Sequence, residues 1–271
     1  FDVSSASFVD SFDVSGQDTN PRGLRFNNDG TKMFLVGNDG DDINEYTLTT
    51  GFDVSSASFV DSFDVSGQDT GPVSIAFNND GTKMFVSGNA GDDINEYTLT
   101  TGFDVSSASF VDSFSVNSQD TSPRGLAFNN DGTKMFVVGD AGNDINEYTL
   151  TTGFDVSSAS FVDSFSVNSQ DTSPRGLAFN NDGTKMFVVG DAGNDINEYT
   201  LSTAFDVSSA SFVGVTADSI VEDVTSTPNG IAFNNDGTKM FVTNRFGANV
   251  HSFDLDAPFD IGFTDPILSS S

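Results

Sequence analysis

The sequence predicts an all-β fold, a five-bladed β-propeller built of four-stranded antiparallel blades. Three observations carry this expectation. A long phrase recurs five times at one spacing, each copy reads as four short strands, and no stretch keeps a helical 3.6-residue period.

The phrase Phe-Asp-Val-Ser-Ser-Ala-Ser-Phe-Val begins at Phe1, Phe52, Phe103, Phe154 and Phe205, each start 51 residues after the last. The repeat units are therefore 1–51, 52–102, 103–153, 154–204 and 205–258, followed by a partial unit 259–271, all within one domain spanning 1–271. The fifth unit departs most: three extra residues precede Pro228, and Arg245 to His251 replaces an acidic loop. A lone four-stranded sheet cannot bury both faces. Packing each sheet against two neighbours around an axis solves this, with Phe and Val as the filling.

In the third unit, Gly125 to Phe128 is the first strand, and Asn129-Asn130-Asp131-Gly132 follows as a tight hairpin whose Gly takes the φ > 0 position. Lys134 to Val138, aromatic and β-branched, is the second strand. The loop Gly139-Asp140-Ala141-Gly142-Asn143 ends it. Asp144 to Leu150 alternates, with Ile145, Glu147 and Thr149 on one face and Asn146, Tyr148 and Leu150 on the other. Phe161 to Val167 alternates again and is expected to place Phe161, Asp163, Phe165 and Val167 on one side.

The order of Ser122-Pro123-Arg124-Gly125-Leu126-Ala127-Phe128, Asp131-Gly132, Met135-Phe136-Val137-Val138, Gly142-Asn143-Asp144-Ile145 and Phe161-Val162-Asp163-Ser164-Phe165 resembles NHL-type and YVTN-type propeller repeats over almost the whole chain. The resemblance implies that the Pro-Arg-Gly-Leu strand is innermost and the Phe-Val-Asp-Ser-Phe strand outermost. The chain then opens with an outer strand, Phe8 to Val14, ahead of its first inner strand, and its last strand set ends near Leu255 without one. The N-terminal strand is expected to complete the fifth blade and close the ring. Residues 259–271 are then surplus, or compete for the same edge.

Composition narrows the function. The chain has 40 acidic against 10 basic residues, a formal net charge of −30. That field repels nucleic-acid phosphates and anionic headgroups, and no apolar run is long enough to insert in a membrane. A glycan or a protein surface remains as partner, to a chain expected to be monomeric and extracellular or at the cell surface. The start at Phe1, with neither Met nor signal peptide, reads as a processed or trimmed form. The acid-rich surface suits saline surroundings; simple solubility of acidic loops copied five times is the other account. The absence of Cys excludes disulfides, thiolate zinc sites and cysteine nucleophiles.

In related propellers ligands meet the face formed by the loop leading into the inner strand and the loop between the second and third strands. Here these loops supply Asp120, Thr121 and Arg124 with Asp140 in the third unit, and Asp171, Thr172 and Arg175 with Asp191 in the fourth. Arg22 holds the same place in the first unit; Val73 and Asn229 hold it in the second and fifth. An Arg fork suits carboxylate, sulfate or hydroxyl-rich ligands, and pairing with a neighbouring blade's Asp is the structural alternative. The acidic loops Asn38-Asp39-Gly40-Asp41-Asp42 and Gly91-Asp92-Asp93 suggest Ca²⁺, but they lack EF-hand spacing and read first as solvated turns, so no cofactor is expected. His251, the one histidine, is read as replacing the repeated Glu45, Glu96, Glu147 and Glu198. Those glutamates are equivalent copies, whereas acid–base catalysis needs carboxylates in unlike environments. No catalytic residue is assigned. The expected function is non-enzymatic binding through repeated equivalent sites. The alternatives are a hydrolase or lyase using Arg245, Asn249 and His251 of the divergent fifth blade, and an amplified or designed repeat with no specific ligand.

Overall fold

The computed structural model describes residues 6–216 and 227–262. Strand β1 (Ala6–Asp13) precedes the first inner strand. Blade one is β2 (Pro21–Phe26), β3 (Lys32–Gly37), β4 (Asp42–Leu48) and β5 (Ala57–Asp64). Blade two is β6 (Pro72–Phe77), β7 (Lys83–Gly88), β8 (Asp93–Leu99) and β9 (Ala108–Ser115); blade three is β10 (Pro123–Phe128), β11 (Lys134–Gly139), β12 (Asp144–Leu150) and β13 (Ala159–Ser166). Blade four is β14 (Pro174–Phe179), β15 (Lys185–Gly190), β16 (Ile196–Leu201) and β17 (Ala210–Val215). Blade five has β18 (Pro228–Phe233), β19 (Lys239–Asn244) and β20 (Asn249–Leu255), and β1 is its outer strand. The protein is a five-bladed β-propeller, closed antiparallel with Ala6 opposite Leu255 and Asp13 opposite Asn249. Its only described helical pieces are single 3-10 turns such as Val105–Ser107, so no described helix is long and apolar enough to cross a membrane.

Local chemistry explains the strand ends. In the first hairpin, Asn27 Oδ1 accepts from Lys32 N at 2.9 Å and Asp29 Oδ1 from Thr31 N at 3.0 Å, while Gly30 takes φ 71°. The Phe that begins each later unit is itself left-handed: Phe52, Phe103, Phe154, Phe205 and Phe259 have φ of 54° to 60°. A bulky residue adopts that conformation only under strong constraint. At Phe154 the constraint is visible. Its N–H donates to Gly132 O at 3.0 Å, its carbonyl accepts from Lys83 Nζ at 2.6 Å, and its ring occupies the space a Cβ on Gly132 would need.

Five separate apolar cores fill the five blade–blade junctions. The one between blades one and five joins Leu24, Met33 and Tyr46 to Ala232, Phe241 and Val250. Ion pairs between a half-buried lysine and a buried glutamate staple the outer half of four of the five junctions. Lys134 Nζ meets Glu147 Oε1 at 2.6 Å and donates to Phe205 O at 2.6 Å, while Glu147 Oε2 accepts from Val207 N at 3.0 Å. Lys32–Glu45 and Lys83–Glu96 repeat the arrangement, and Lys185–Glu198 keeps the ion pair at 3.0 Å. The repeated glutamates are thus joints of the ring.

Three sequence expectations change. The outer strands do not alternate simply: a bulge skips Val162, so Phe161 faces Tyr148 of its own blade and Phe165 meets Tyr199 of the next. Phe161 remains 44% exposed, whereas Val167 is buried. His251 lies opposite Val242, in the place of Asn146, and Ser252 opposite Phe241 takes the glutamate's place. The start of the partial sixth unit is not surplus. Phe259 and Ile261 belong to the core between blades four and five, and Phe259 O accepts from Lys185 Nζ at 2.8 Å. Residues 263–271, like the extra residues near 217–226, lie outside the described ones.

Candidate functional site

The ring has two ends. At the end where the inner strands begin, which we call the arginine face, the loops before β10 and β14 are built on buried carboxylates. Asp120 accepts from Ser122 N at 2.6 Å and Gly142 N at 3.1 Å; Asp171 accepts from Ser173 N at 2.5 Å and Gly193 N at 3.4 Å. A Cβ on Gly139 would lie 2.2 Å from the Asp120 carboxyl, so the closing residue of β11 must be glycine. These aspartates hold loops rather than face solvent, since Asp120 and Asp171 are each 1% exposed. Burial raises the Asp171 carboxyl, and it lifts the equivalent Asp18 to about 6. Thr121 and Thr172 stand exposed on the rim.

The arginines form a chain around the axis. Arg124 Nε and Nη2 each donate to Asp140 Oδ2 at 3.0 Å. Arg175 Nη1 reaches back across the blade boundary to the same oxygen at 2.7 Å, while its Nε and Nη2 hold Asp191 Oδ2 at 2.9 and 2.7 Å. Ser173 Oγ donates to the other Asp140 oxygen at 3.1 Å. Arg124 is therefore pre-oriented by Asp140 of its own blade, and Arg175 by carboxylates of its own and the preceding blade.

The chain breaks between blades five and one. Arg22 corresponds to Arg175, but its own-blade partner position holds Asn38 and the preceding blade's holds Arg245. Arg245 Nε donates to Asn20 Oδ1 at 2.7 Å, and its guanidinium carbon sits 5.4 Å from the Phe246 ring centroid. The Arg22 Nε is buried with no hydrogen-bond partner among the described residues. Burial first, and then the charges of Arg124, Arg245 and Arg175, lower the Arg22 guanidinium to about 10; the opposing pull of Asp18 is smaller. The sequence groups Arg245 with Asn249 and His251; Asn249 stays beside the Arg245 loop, opposite Asn244, whereas His251 is set apart from it. His251 is buried mid-strand against the Phe8 ring at 5.9 Å, paired with Ser11 of β1. The usable signal was alignment: Arg245 stands where Asp140 and Asp191 stand in their units.

The opposite end, the asparagine face, encloses a cavity of about 280 Å³. Its rim is a closed ring of amide bonds: Asn28 Nδ2 donates to Asn79 O at 2.7 Å, Asn79 to Asn130 O at 2.8 Å, Asn130 to Asn181 O at 2.8 Å, Asn181 to Asn235 O at 2.6 Å, and Asn235 to Asn28 O. Arg25 replaces the Ala76, Ala127, Ala178 and Ala232 of the other blades. It donates to the carbonyls of Leu24 at 2.7 Å, Ile231 at 3.2 Å and Leu126 at 2.6 Å, spanning the channel from blade one to blades five and three. Burial lowers its pKa to about 10. Arg25 is an internal cation that satisfies inner-strand carbonyls and plugs the channel. Among the described residues, no group of three or more His, Asp or Glu side chains converges to hold a metal ion.

No protein-family model and no curated protein matches the sequence. Solved structures do match in shape. A luciferin-regenerating enzyme superposes with a TM-score of 0.56 at 12% identity, over 95% of this chain and 98% of that one. A protein provisionally assigned as a 6-phosphogluconolactonase from Bacteroides uniformis gives 0.52 at 13% identity, over 91% and 68%. A protein of unknown function from Desulfotomaculum acetoxidans gives 0.50 at 12% identity, and this chain spans 62% of its length. At these identities the likeness is one of fold.

Proposed function

We propose that this protein is a non-enzymatic binding propeller that recognises a glycan or a protein loop on its arginine face. The observation supporting this is the pre-oriented Arg124–Asp140–Arg175–Asp191 chain, flanked by the exposed Thr121 and Thr172. Side chains already held in place lose little entropy when they meet a ligand. Equivalence of sites extends only to blades three and four, because Val73, Asn229 and the unpaired Arg22 break it elsewhere. A catalytic reading would draw on the enzyme names among the structural neighbours. It is weakened by the position of His251, buried under Phe8 and away from the Arg245 loop.

A glycan-array screen with and without Ca²⁺, followed by calorimetry on any hit, tests the proposal. Changing Arg124 and Arg175 together to Gln should weaken binding at least about tenfold, as expected for losing charged hydrogen bonds of about 1.5–3 kcal/mol each. His251→Asn, which restores the residue of the other blades, should leave binding intact. Binding that survives the double change and disappears with His251→Asn would sink the proposal.

A further inference from the structure

We infer that the junction between blades one and five, at the arginine face, is an oxyanion site with Arg22 and Arg245 as its cations. The inference deepens, and rests on, the reading of this face as the recognition surface. It starts from a comparison within the molecule. Between blades three and four a carboxylate, Asp140, lies between Arg124 and Arg175 and accepts from both. The equivalent place between blades five and one is Arg245, and the second carboxylate place, that of Asp191, is Asn38. Pseudo-symmetry thus removes two negative charges from around Arg22 and adds a positive one.

The consequences are physical. A buried N–H without an acceptor is a costly exception in a folded protein, and Arg22 Nε is one among the described residues. Asp18, a carboxylate whose charge acts on Arg22, is already engaged: it accepts from Asn20 N at 2.5 Å and Asp39 N at 3.2 Å. Arg245 is fixed by Asn20 and by the Phe246 ring, whose own surface is 70% exposed. Two guanidinium groups, one fixed and one lacking an acceptor, offer the donors a planar or tetrahedral oxyanion accepts. Four arginines act on one another at this face, and of its carboxylates Asp140 and Asp191 are taken up by Arg124 and Arg175 while Asp18, Asp120 and Asp171 are buried holding loops, which leaves the charge of Arg22 and Arg245 to an outside anion. The group recognised is a sulfate, phosphate or carboxylate, either as a free ion or as a substituent of a glycan.

The experiment exploits the internal comparison. Arg245→Asp installs at this junction the residue that Asp140 supplies at the other, giving Arg22 an internal acceptor. Inorganic sulfate, titrated at constant ionic strength, should shift the Arg22 and Arg245 Nε resonances of the native protein saturably. Arg245→Asp should weaken that binding at least about tenfold while leaving the melting temperature equal or higher. Arg22→Gln should weaken it similarly. Lys239→Glu, which changes net charge equally at the other end of the ring, should leave it unchanged. A sulfated oligosaccharide and its desulfated counterpart distinguish a free ion from a substituent, the sulfated form alone gaining affinity if the group is carried on a glycan. Sulfate shifts that do not saturate, or that persist in both Arg245→Asp and Arg22→Gln, would overturn the inference. Glycan binding lost with Arg124→Gln/Arg175→Gln but untouched by Arg245→Asp would leave the recognition face standing without this site. Saturable sulfate binding with no glycan or protein ligand on the face would leave the site standing without that wider reading.

Discussion

Asp18, Asp120 and Asp171 show how one residue type serves the repeat at atomic scale. Each carboxylate sits under a loop, receives backbone N–H groups, and lies against a glycine that closes a second strand. Burial raises Asp18 from 3.8 to about 6, and it raises Asp171, Asp144, Asp195 and Glu198 as well. The sign follows from linkage: the folded form holds these protons to higher pH than the unfolded chain does, so it binds more protons between about pH 4 and 6. Stability contributed by these groups is full in acid and is lost as pH rises through 6. Thermal melts should therefore show a higher melting temperature near pH 5 than at pH 7, and Asp18→Asn should flatten part of that slope. A melting temperature that climbs steadily from pH 5 to 7 contradicts the assignment. Sequence pointed to Asp120, Asp171 and the arginines as neighbours on one face. It could not tell a loop-holding carboxylate from a ligand-facing one, because both read as Asp in a turn.

At the scale of strands and joints, the repeat announced the four strands and their order, and β1 was legible as the closing strand from register. Two things were hidden. The bulge at Val162 leaves no mark in a sequence that alternates correctly on either side of it. The worth of the chain after Leu255 was also hidden, because a truncated repeat looks like excess. In fact Phe259 repeats the left-handed joint of the earlier units, its N–H donating to Gly237 O at 2.8 Å, and Ile261 is fully buried between blades four and five. Ile261→Ala should destabilise the protein by about 2–5 kcal/mol, the range for emptying a buried aliphatic site. Denaturant unfolding checks this, and a loss below about 1 kcal/mol, the range of a tolerated hydrophobic swap, would show that this segment only drapes over the core.

For the whole molecule, the ring is legible from periodicity, whereas its asymmetry is not evident until blades are superposed. The chain carries 40 acidic against 10 basic residues, an excess of 30 negative charges. Raising salt to about 1 M shortens the screening length to about 3 Å and should raise the melting temperature, with an uncharged osmolyte as control. A flat response would mean that the carboxylates are already spaced or paired well enough. Function at this scale stays with the site, since propellers of this shape carry many chemistries.

The closure by β1 carries a further meaning. Four junctions of the ring join blades that follow each other along the chain; the fifth sets blade one against blade five, whose outer strand β1 is supplied by the start of the chain. Closing that last junction spans the longest loop and so costs the most chain entropy, and amide hydrogen exchange is expected to show it opening before the other four. Arg22 belongs to blade one and Arg245 to blade five, on opposite sides of this seam. An oxyanion gripped by both would therefore act as a latch, and occupancy would lock the circle at its weakest point by mass action.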